Sequence, residues 1–493
     1  KPKPIVENMA ELSRVRPTGR VDVNRIDLGI EYSGRFTNNY STEMLSQRGI
    51  DGQQVWLNTT DGMTPHERKQ AVKRMALALG KALNNGRAVP VVDASTVGAH
   101  GHGLSIAYKF QDKHGRKWRA EWDGVGRNYT ERGEVIHESM RGGHIEIVTP
   151  KFNPSYEDMS AVYTAMEKEG VIPSLRAGGG HINIDLAPFA GKPKQLARFL
   201  TLFHEHRGIM SFMFQNVNRG AAAEAVEVTE NLRRQLRDFR GTETELKRLL
   251  YNERYFNQRV GRKTRNMQID MSAYFQDIIP ARHLHQDFDM KNPTDPWREQ
   301  FRVEPHIRKM EMRMFDAPLD VFESSMQIKL VRALMNAALN ETGSVRGEVQ
   351  KVDHLEYASN YEKAEADMKR MCEALGLNPK DFRIFLARAA VQVNQASSGK
   401  FFRSYNEKIR LYGWKKSTGG WGEALTHQRP SSRSIGSEGR HWKGQESQIS
   451  REFREVRVEA ARQADQARER HTPSAHTRPA LQMSVNCRKV FNL

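Results

Sequence analysis

The chain has 493 residues, a mass of 56.5 kDa and a formal net charge of +18. No run of about eighteen apolar residues occurs, which excludes a helical membrane span. Only two cysteines occur, Cys372 and Cys487, which excludes a disulfide-rich scaffold or a cysteine-based zinc finger. The excess positive charge favours acidic partners: nucleotides, nucleic acid, anionic cell-wall polymers or lipid headgroups.

Residues 1–24 are polar, carry Pro2, Pro4 and Pro17, and read as an arm. The chain starts Lys1-Pro2-Lys3-Pro4 with no initiator Met. Both an exported chain after signal removal and a cytoplasmic one fit that start, and export would allow Cys372 and Cys487 to pair. From Ile26 to Ser33 the residues alternate, with Ile26, Leu28 and Ile30 on one face of a strand and Asp27, Glu31 and Ser33 on the other. Thr64-Pro65-His66-Glu67 is a capping box with proline at the first helical position. The helix it opens carries Val72, Met75, Leu77 and Leu79 and stops near Gly86, before a short strand at Val89-Pro90-Val91-Val92.

A hairpin follows, its strands at residues 105–110 and 118–123 flanking the turn Lys113-His114-Gly115-Arg116. The next alternating run sets His144 and Glu146 against Ile145 and Ile147. A helix over residues 155–170 begins with a second box, Ser155 with Asp158. Three glycines, Gly178, Gly179 and Gly180, then lead into a strand with His181, Asn183 and Asp185 on one face and Ile182, Ile184 and Leu186 on the other.

Residues 194–256 read as helical, with breaks near Gly208, Gly220 and Gly241. Met267-Gln268-Ile269-Asp270-Met271-Ser272 reads as a further strand. The last core strand opposes Met310, Met312 and Met314 to Glu311 and Arg313. Pro318 opens a long helix through Leu330 and Leu339, and helices over residues 354–375 and 379–394 complete the ordered part. Residues 396–493 form a basic, flexible tail with 19 Lys and Arg against 9 Asp and Glu, over half of the net charge. A charged helix is expected over residues 446–470, and Trp414, Trp421 and Trp442 lie among cations in a pattern that suits stacking on bases or sugars.

Four strands thus share one design, an apolar face for the core and an ionisable face for chemistry. The second face collects Glu31, Glu146, His181, Glu311 and Arg313, with Asp123 at the end of the hairpin. Carboxylates gathered on one surface repel unless a cation sits between them. Mg²⁺ or Mn²⁺ suits such oxygen ligands and binds substrate phosphates as well, and an arginine beside them can clamp a phosphoryl group. His100-Gly101-His102 and His283-Leu284-His285 have a spacing that suits zinc or nickel, but no further ligand accompanies them and they read as loop histidines. The glycine run lacks the Gly-Lys-Ser/Thr ending of a Walker loop.

The ordered blocks resemble the amidoligase family, carboxylate–amine ligases related to glutamine synthetase and glutamate–cysteine ligase. The resemblance is carried by Gly29-Ile30-Glu31, Asp123-Gly124, Ile145-Glu146-Ile147-Val148-Thr149-Pro150, Gly180-His181-Ile182-Asn183 and Met310-Glu311-Met312-Arg313, in that order over residues 25–345. It implies an α+β fold in which a curved antiparallel sheet has helices packed on its outer face. A catalytic domain would span residues 25–345, with a helical extension over residues 346–395. It also implies ATP and Mg²⁺ as cofactors. Glu31, His181 and Glu311 would hold the metal nearest the ATP phosphates and Glu146 a second ion. Arg313 would stabilise the transferring phosphoryl group and Asp123 would position or deprotonate the amine. The approach to the nucleotide would run over Gly179 and Gly180, with Asn183 as a further ligand.

The expected reaction joins a carboxylate to an amine through an acyl phosphate, on a peptide, a peptidoglycan fragment or a protein side chain. Ser33 departs from the family pattern, standing where a second glutamate is common. Asn183 and Val125 depart too, standing where a histidine and a serine are common. A catalytically degenerate ligase-fold protein, binding nucleic acid or an anionic cell-wall polymer through its basic tail, is the alternative expectation.

Overall fold

The computed structural model describes residues 13–36, 49–50, 53–54, 65–97, 104–125, 142–169, 171–173, 180–215, 228–253, 268–271, 274, 309–315, 317–318, 321–383, 385–386 and 389. The basic tail, both paired-histidine motifs, Cys487 and Gly178–Gly179 lie outside them.

The strands in chain order are β1 (Leu28–Phe36), β2 (Gly49–Ile50), β3 (Gln53–Gln54), β4 (Val92–Asp93), β5 (Thr96–Val97), β6 (Leu104–Ser105), β7 (Ala107–Gln111), β8 (Lys117–Val125), β9 (Gly142–Val148), β10 (Val171–Pro173), β11 (Ile182–Asp185), β12 (Ile269–Asp270) and β13 (Lys309–Met312). The helices are α1 (Pro65–Leu83), α2 (Tyr156–Lys168), α3 (Pro193–Phe214), α4 (Glu230–Arg237), α5 (Glu243–Asn252), α6 (Val321–Leu339), α7 (His354–Ser359) and α8 (Tyr361–Leu375). The fold is α+β.

Among the described residues one open, antiparallel, nine-stranded sheet runs β12-β13-β11-β1-β9-β8-β7-β4, with β10 paired to the far end of β1. Two short hairpins, β2 with β3 and β5 with β6, stand apart from it. Its long central strand, β1, pairs with β11 through Leu28–Ile30 and with β9 through Glu31–Arg35, so both halves of the sheet are tied through one strand.

The apolar side chains of the alternating strands form the core. Leu28, Ile30 and Tyr32 of β1, Ile182 and Ile184 of β11, Met310 and Met312 of β13, Ile145 and Ile147 of β9 and Trp118 and Ala120 of β8 are all buried in one cluster. Helices cover this face. Tyr32 reaches α6 through a 3.1 Å hydroxyl contact with Ser324 and packs edge-on against Tyr163 of α2. Helix α2 begins with the reciprocal cap its sequence promised: Asp158 N–H donates to Ser155 Oγ at 3.0 Å, and Ser155 N–H donates back to Asp158 Oδ2 at 3.4 Å. Helix α1 ends at Leu83 and the chain turns through Asn85 and Gly86, both at positive φ, where glycine carries no penalty. The strand expected around Val91 is only Val92–Asp93, because Pro90 has no N–H to give a ladder.

Three further expectations change. Helix α3 runs unbroken through Gly208 and is buried on every side from Phe199 to Phe214. The glycine serves close approach: a Cβ there would lie 2.2 Å from the carbonyl oxygen of Lys351, whose neighbour Gln350 bonds to His204 O and to Ile209 N–H. The long helix expected over residues 354–375 is two helices, divided at Asn360, which ends α7 and caps α8 by accepting from Lys363 N–H. Of the expected arm, residues 13–24 are docked. Arg332 of α6 donates to Ser13 O and Oγ, Asn340 bonds Val21, and Val15 and Val23 enter the core.

Candidate functional site

Directly paired residues of an antiparallel sheet project to the same face. On the face opposite the core, β12 offers Asp270, whose partner on β13 is Glu311. Glu311 is paired with Asn183 of β11, and Asn183 with Gly29 of β1. Two residues along β1, Ser33 is paired with Glu146 of β9, which is paired in turn with Glu121 of β8; one rung further, Asp123 is paired with His144. Every candidate residue that lies on a strand is therefore on one face, and the alternation read from the sequence places it there.

Three of these side chains meet. His181 immediately precedes β11, and its carbonyl accepts the Glu31 N–H at 3.0 Å, which anchors the imidazole beside β1. Gly29 lets the strands close at that point: a Cβ there would stand 3.3 Å from Asn183 Cβ. His181 Nδ1 lies 2.7 Å from Glu31 Oε2 and 3.3 Å from Glu311 Oε1. One ligand atom from each of Glu31, His181 and Glu311 lies within 4.8 Å of the other two.

The remaining carboxylate oxygens are also engaged. Asn183 Nδ2 donates to Glu31 Oε1 at 3.3 Å, Lys309 Nζ donates to Asn183 Oδ1 at 2.9 Å, and the same ammonium is 3.7 Å from Glu311 Oε2. Arg313 forms an ion pair with Glu311 Oε1, and its backbone N–H is held by Gln268 O at 2.8 Å. Burial alone would push the Glu31 carboxyl up. The hydrogen bond and charge of His181, with Arg313 and Lys309 beyond it, outweigh burial and hold it at about 2. Burial opposes the charge on Arg313, but Glu311, Asp270 and Glu31 reverse that effect and raise its pKa. His181 Nε2 and Arg313 Nε are buried with no hydrogen-bond partner.

The set could hold a small divalent cation. Two carboxylates and an imidazole, spread over no more than 4.8 Å, are within reach of one ion with arms of about 2.0–2.5 Å. Glu146 stands outside this trio, on the same face beside Ser33 and Glu121. Asp123 is placed on that face by the backbone of β8, and its side chain lies outside the described residues. Gly180 is buried and ties the approach strand down, its N–H donating to Phe315 O at 2.9 Å, while Gly179 lies outside the described residues.

Sequence reasoning passed over Lys309 and Asp270. Both were signalled by parity alone: Lys309 is two residues before Glu311, and Asp270 alternates with Ile269 and Met271. No family model, no curated protein and no solved structure matches this chain, so its own residues carry the functional reading.

Proposed function

We propose that this chain is an ATP- and Mg²⁺-dependent amidoligase that joins a carboxylate to an amine on a peptide, peptidoglycan fragment or protein side chain. The observation that carries the proposal is the convergence of Glu31, His181 and Glu311 to within 4.8 Å, with Arg313 paired to Glu311 on the same face. The finer fold follows the same reading: the open antiparallel sheet with helices on one face would be the curved catalytic sheet of the glutamine-synthetase and glutamate–cysteine-ligase group. Glu31, His181 and Glu311 would hold Mg²⁺ or Mn²⁺, which supplies charge neutralisation for the ATP phosphates.

The protein's own groups do the rest. Arg313, half-buried and permanently charged, would face negative charge as it builds on a transferring phosphoryl group. Asn183 orients Glu31 through its amide, and Asp123, on β8, would hold the amine. Glu146, paired with Ser33 across β1 and β9, would hold a second ion.

The test is ADP release from Mg-ATP in the presence of pooled amino acids or muropeptides, with Glu311→Ala as control. ATP use by the wild type that the control lacks supports the proposal; folded wild type that consumes no ATP with any mixture refutes it. One observation favours a second reading, a ligase-fold protein without turnover: Ser33 is buried beside Glu146 where the family pattern has a carboxylate. Salt-dependent binding of nucleic acid or an anionic cell-wall polymer without ATP use would select it.

A further inference from the structure

The polar contacts at the site close into a ring. On one side Glu31 Oε2, His181 Nδ1 and Glu311 Oε1 are linked; on the other, Glu311 Oε2, Lys309, Asn183 and Glu31 Oε1 complete the circuit. Lys309 differs from the other charged members. Its side chain is 44% exposed, against 10% for Glu311 and 13% for Arg313. Its direct cross-strand partner, Asp185, is already held by Lys151 and by the Ala187 N–H. The ammonium therefore turns inward, towards the two carboxylates. Lysine carries a compact charge on a four-carbon stem, so it can leave that position by side-chain rotation alone.

We infer that Lys309 is a tethered cation at the mouth of the carboxylate pair that turns outward, on metal loading, to bind the anionic phosphates of the incoming nucleotide. This rests on the metal-site reading above and adds a positioning residue to it. A divalent ion between Glu31 and Glu311 would repel an ammonium only 3.7 Å from Glu311 Oε2. The displaced charge then lies at the rim, facing solvent, where the anion arrives. Metal and nucleotide binding are coupled as a result: the metal releases the cation, and the released cation favours the anion.

The test compares wild type, Lys309→Met and Lys309→Arg, with binding of Mn²⁺ alone followed by the loss of free-ion EPR signal and binding of ADP at saturating Mn²⁺ followed by calorimetry. A unit charge about 5 Å from a divalent ion in a half-solvated mouth is worth roughly tenfold in affinity. Lys309→Met should therefore bind Mn²⁺ alone roughly tenfold more tightly and ADP roughly tenfold more weakly, while Lys309→Arg stays near wild type in both. The opposed directions separate this role from a general structural defect, which would weaken both. Wild type that binds Mn²⁺ and a Met variant that matches it in either affinity overturn the role of Lys309 alone. Wild type that binds no Mn²⁺ overturns the metal site and this inference together.

Discussion

Glu31→Gln tests the electrostatics of the site without requiring any substrate. In the folded protein the Glu31 carboxyl is held at about 2 against an ordinary 4.5, so its ionised form is favoured by about 3 kcal/mol. A carboxylate with a depressed folded pKa contributes this stability fully above pH 4.5 and loses it as the pH falls towards 2. At pH 3, less than half remains. Glutamine keeps the shape and one acceptor but loses the charge, leaving Glu311 alone against Arg313 and Lys309. In metal-free buffer at pH 7 the variant should be less stable by about 2–3 kcal/mol.

Urea unfolding of both proteins at pH 7 and pH 3, with metal chelated, reads the difference directly. The gap should shrink by more than half at the lower pH. A carboxylate pair in net repulsion would behave in the opposite way, since removing one charge would then stabilise the protein. A Gln variant as stable as wild type at pH 7, or a gap unchanged at pH 3, would refute the charge balance inferred here. Adding Mn²⁺ at a hundred times its dissociation constant should raise wild-type stability by about 2.7 kcal/mol and leave Glu31→Gln unmoved.

Elsewhere, Gly208→Ala should cost about 2–3 kcal/mol in urea unfolding, because the new Cβ meets the backbone oxygen of Lys351. Gly80→Ala is the comparison: there the Cβ would stand 2.2 Å from Val89 Cγ2, a side chain that must shift, while helix propensity improves, so a cost above that of Gly208→Ala would contradict the assignment of a close backbone approach at Gly208. Burial pushes the His206 imidazole down to about 4, with Arg370 adding to the effect. Neutral His206 therefore contributes about 3 kcal/mol that is complete above pH 6.5 and lost between pH 6.5 and 4; His206→Gln should lack that share of the pH dependence. Burial also pushes the Cys372 thiol up to about 12, so an aromatic disulfide reagent should label it only at the rate of unfolding.

The candidate site was legible because each strand carries its own parity marker. Ile30, Ile182 and Met310 had to face the core, and a one-residue slip would have turned Glu31, His181 or Glu311 inward with them. What periodicity does not encode is which strands are neighbours. That β1 lies between β11 and β9 follows from pairings more than a hundred residues apart, and only these pairings bring His181 to Glu31. Lys309 was passed over because one lysine at the start of a strand has the pattern of a solvated charge. Gly208 was misread for a related reason: a glycine in a helical run signals a break, and the carbonyl of Lys351 that requires its small size arrives 143 residues later. In both cases the missing information was a partner distant in sequence.

A second ionic cluster in the same molecule shows what separates a staple from a candidate site. At the β7–β8 turn, Asp112 accepts from the backbone N–H groups of His114 and Arg116, from Arg116 Nε and from the Trp118 indole, while Arg116 reaches on to Asp158 at the cap of α2. Backbone donors fix that carboxylate, so it cannot be freed without opening the turn. Among the described residues, no backbone N–H donates to the side chain of Glu31, His181 or Glu311; their contacts are with other side chains. Such contacts can be exchanged for a ligand at the cost of rotamer changes, with the sheet left intact. Backbone N–H groups hold the Asp112 carboxylate closed, whereas side chains alone hold those of Glu31 and Glu311.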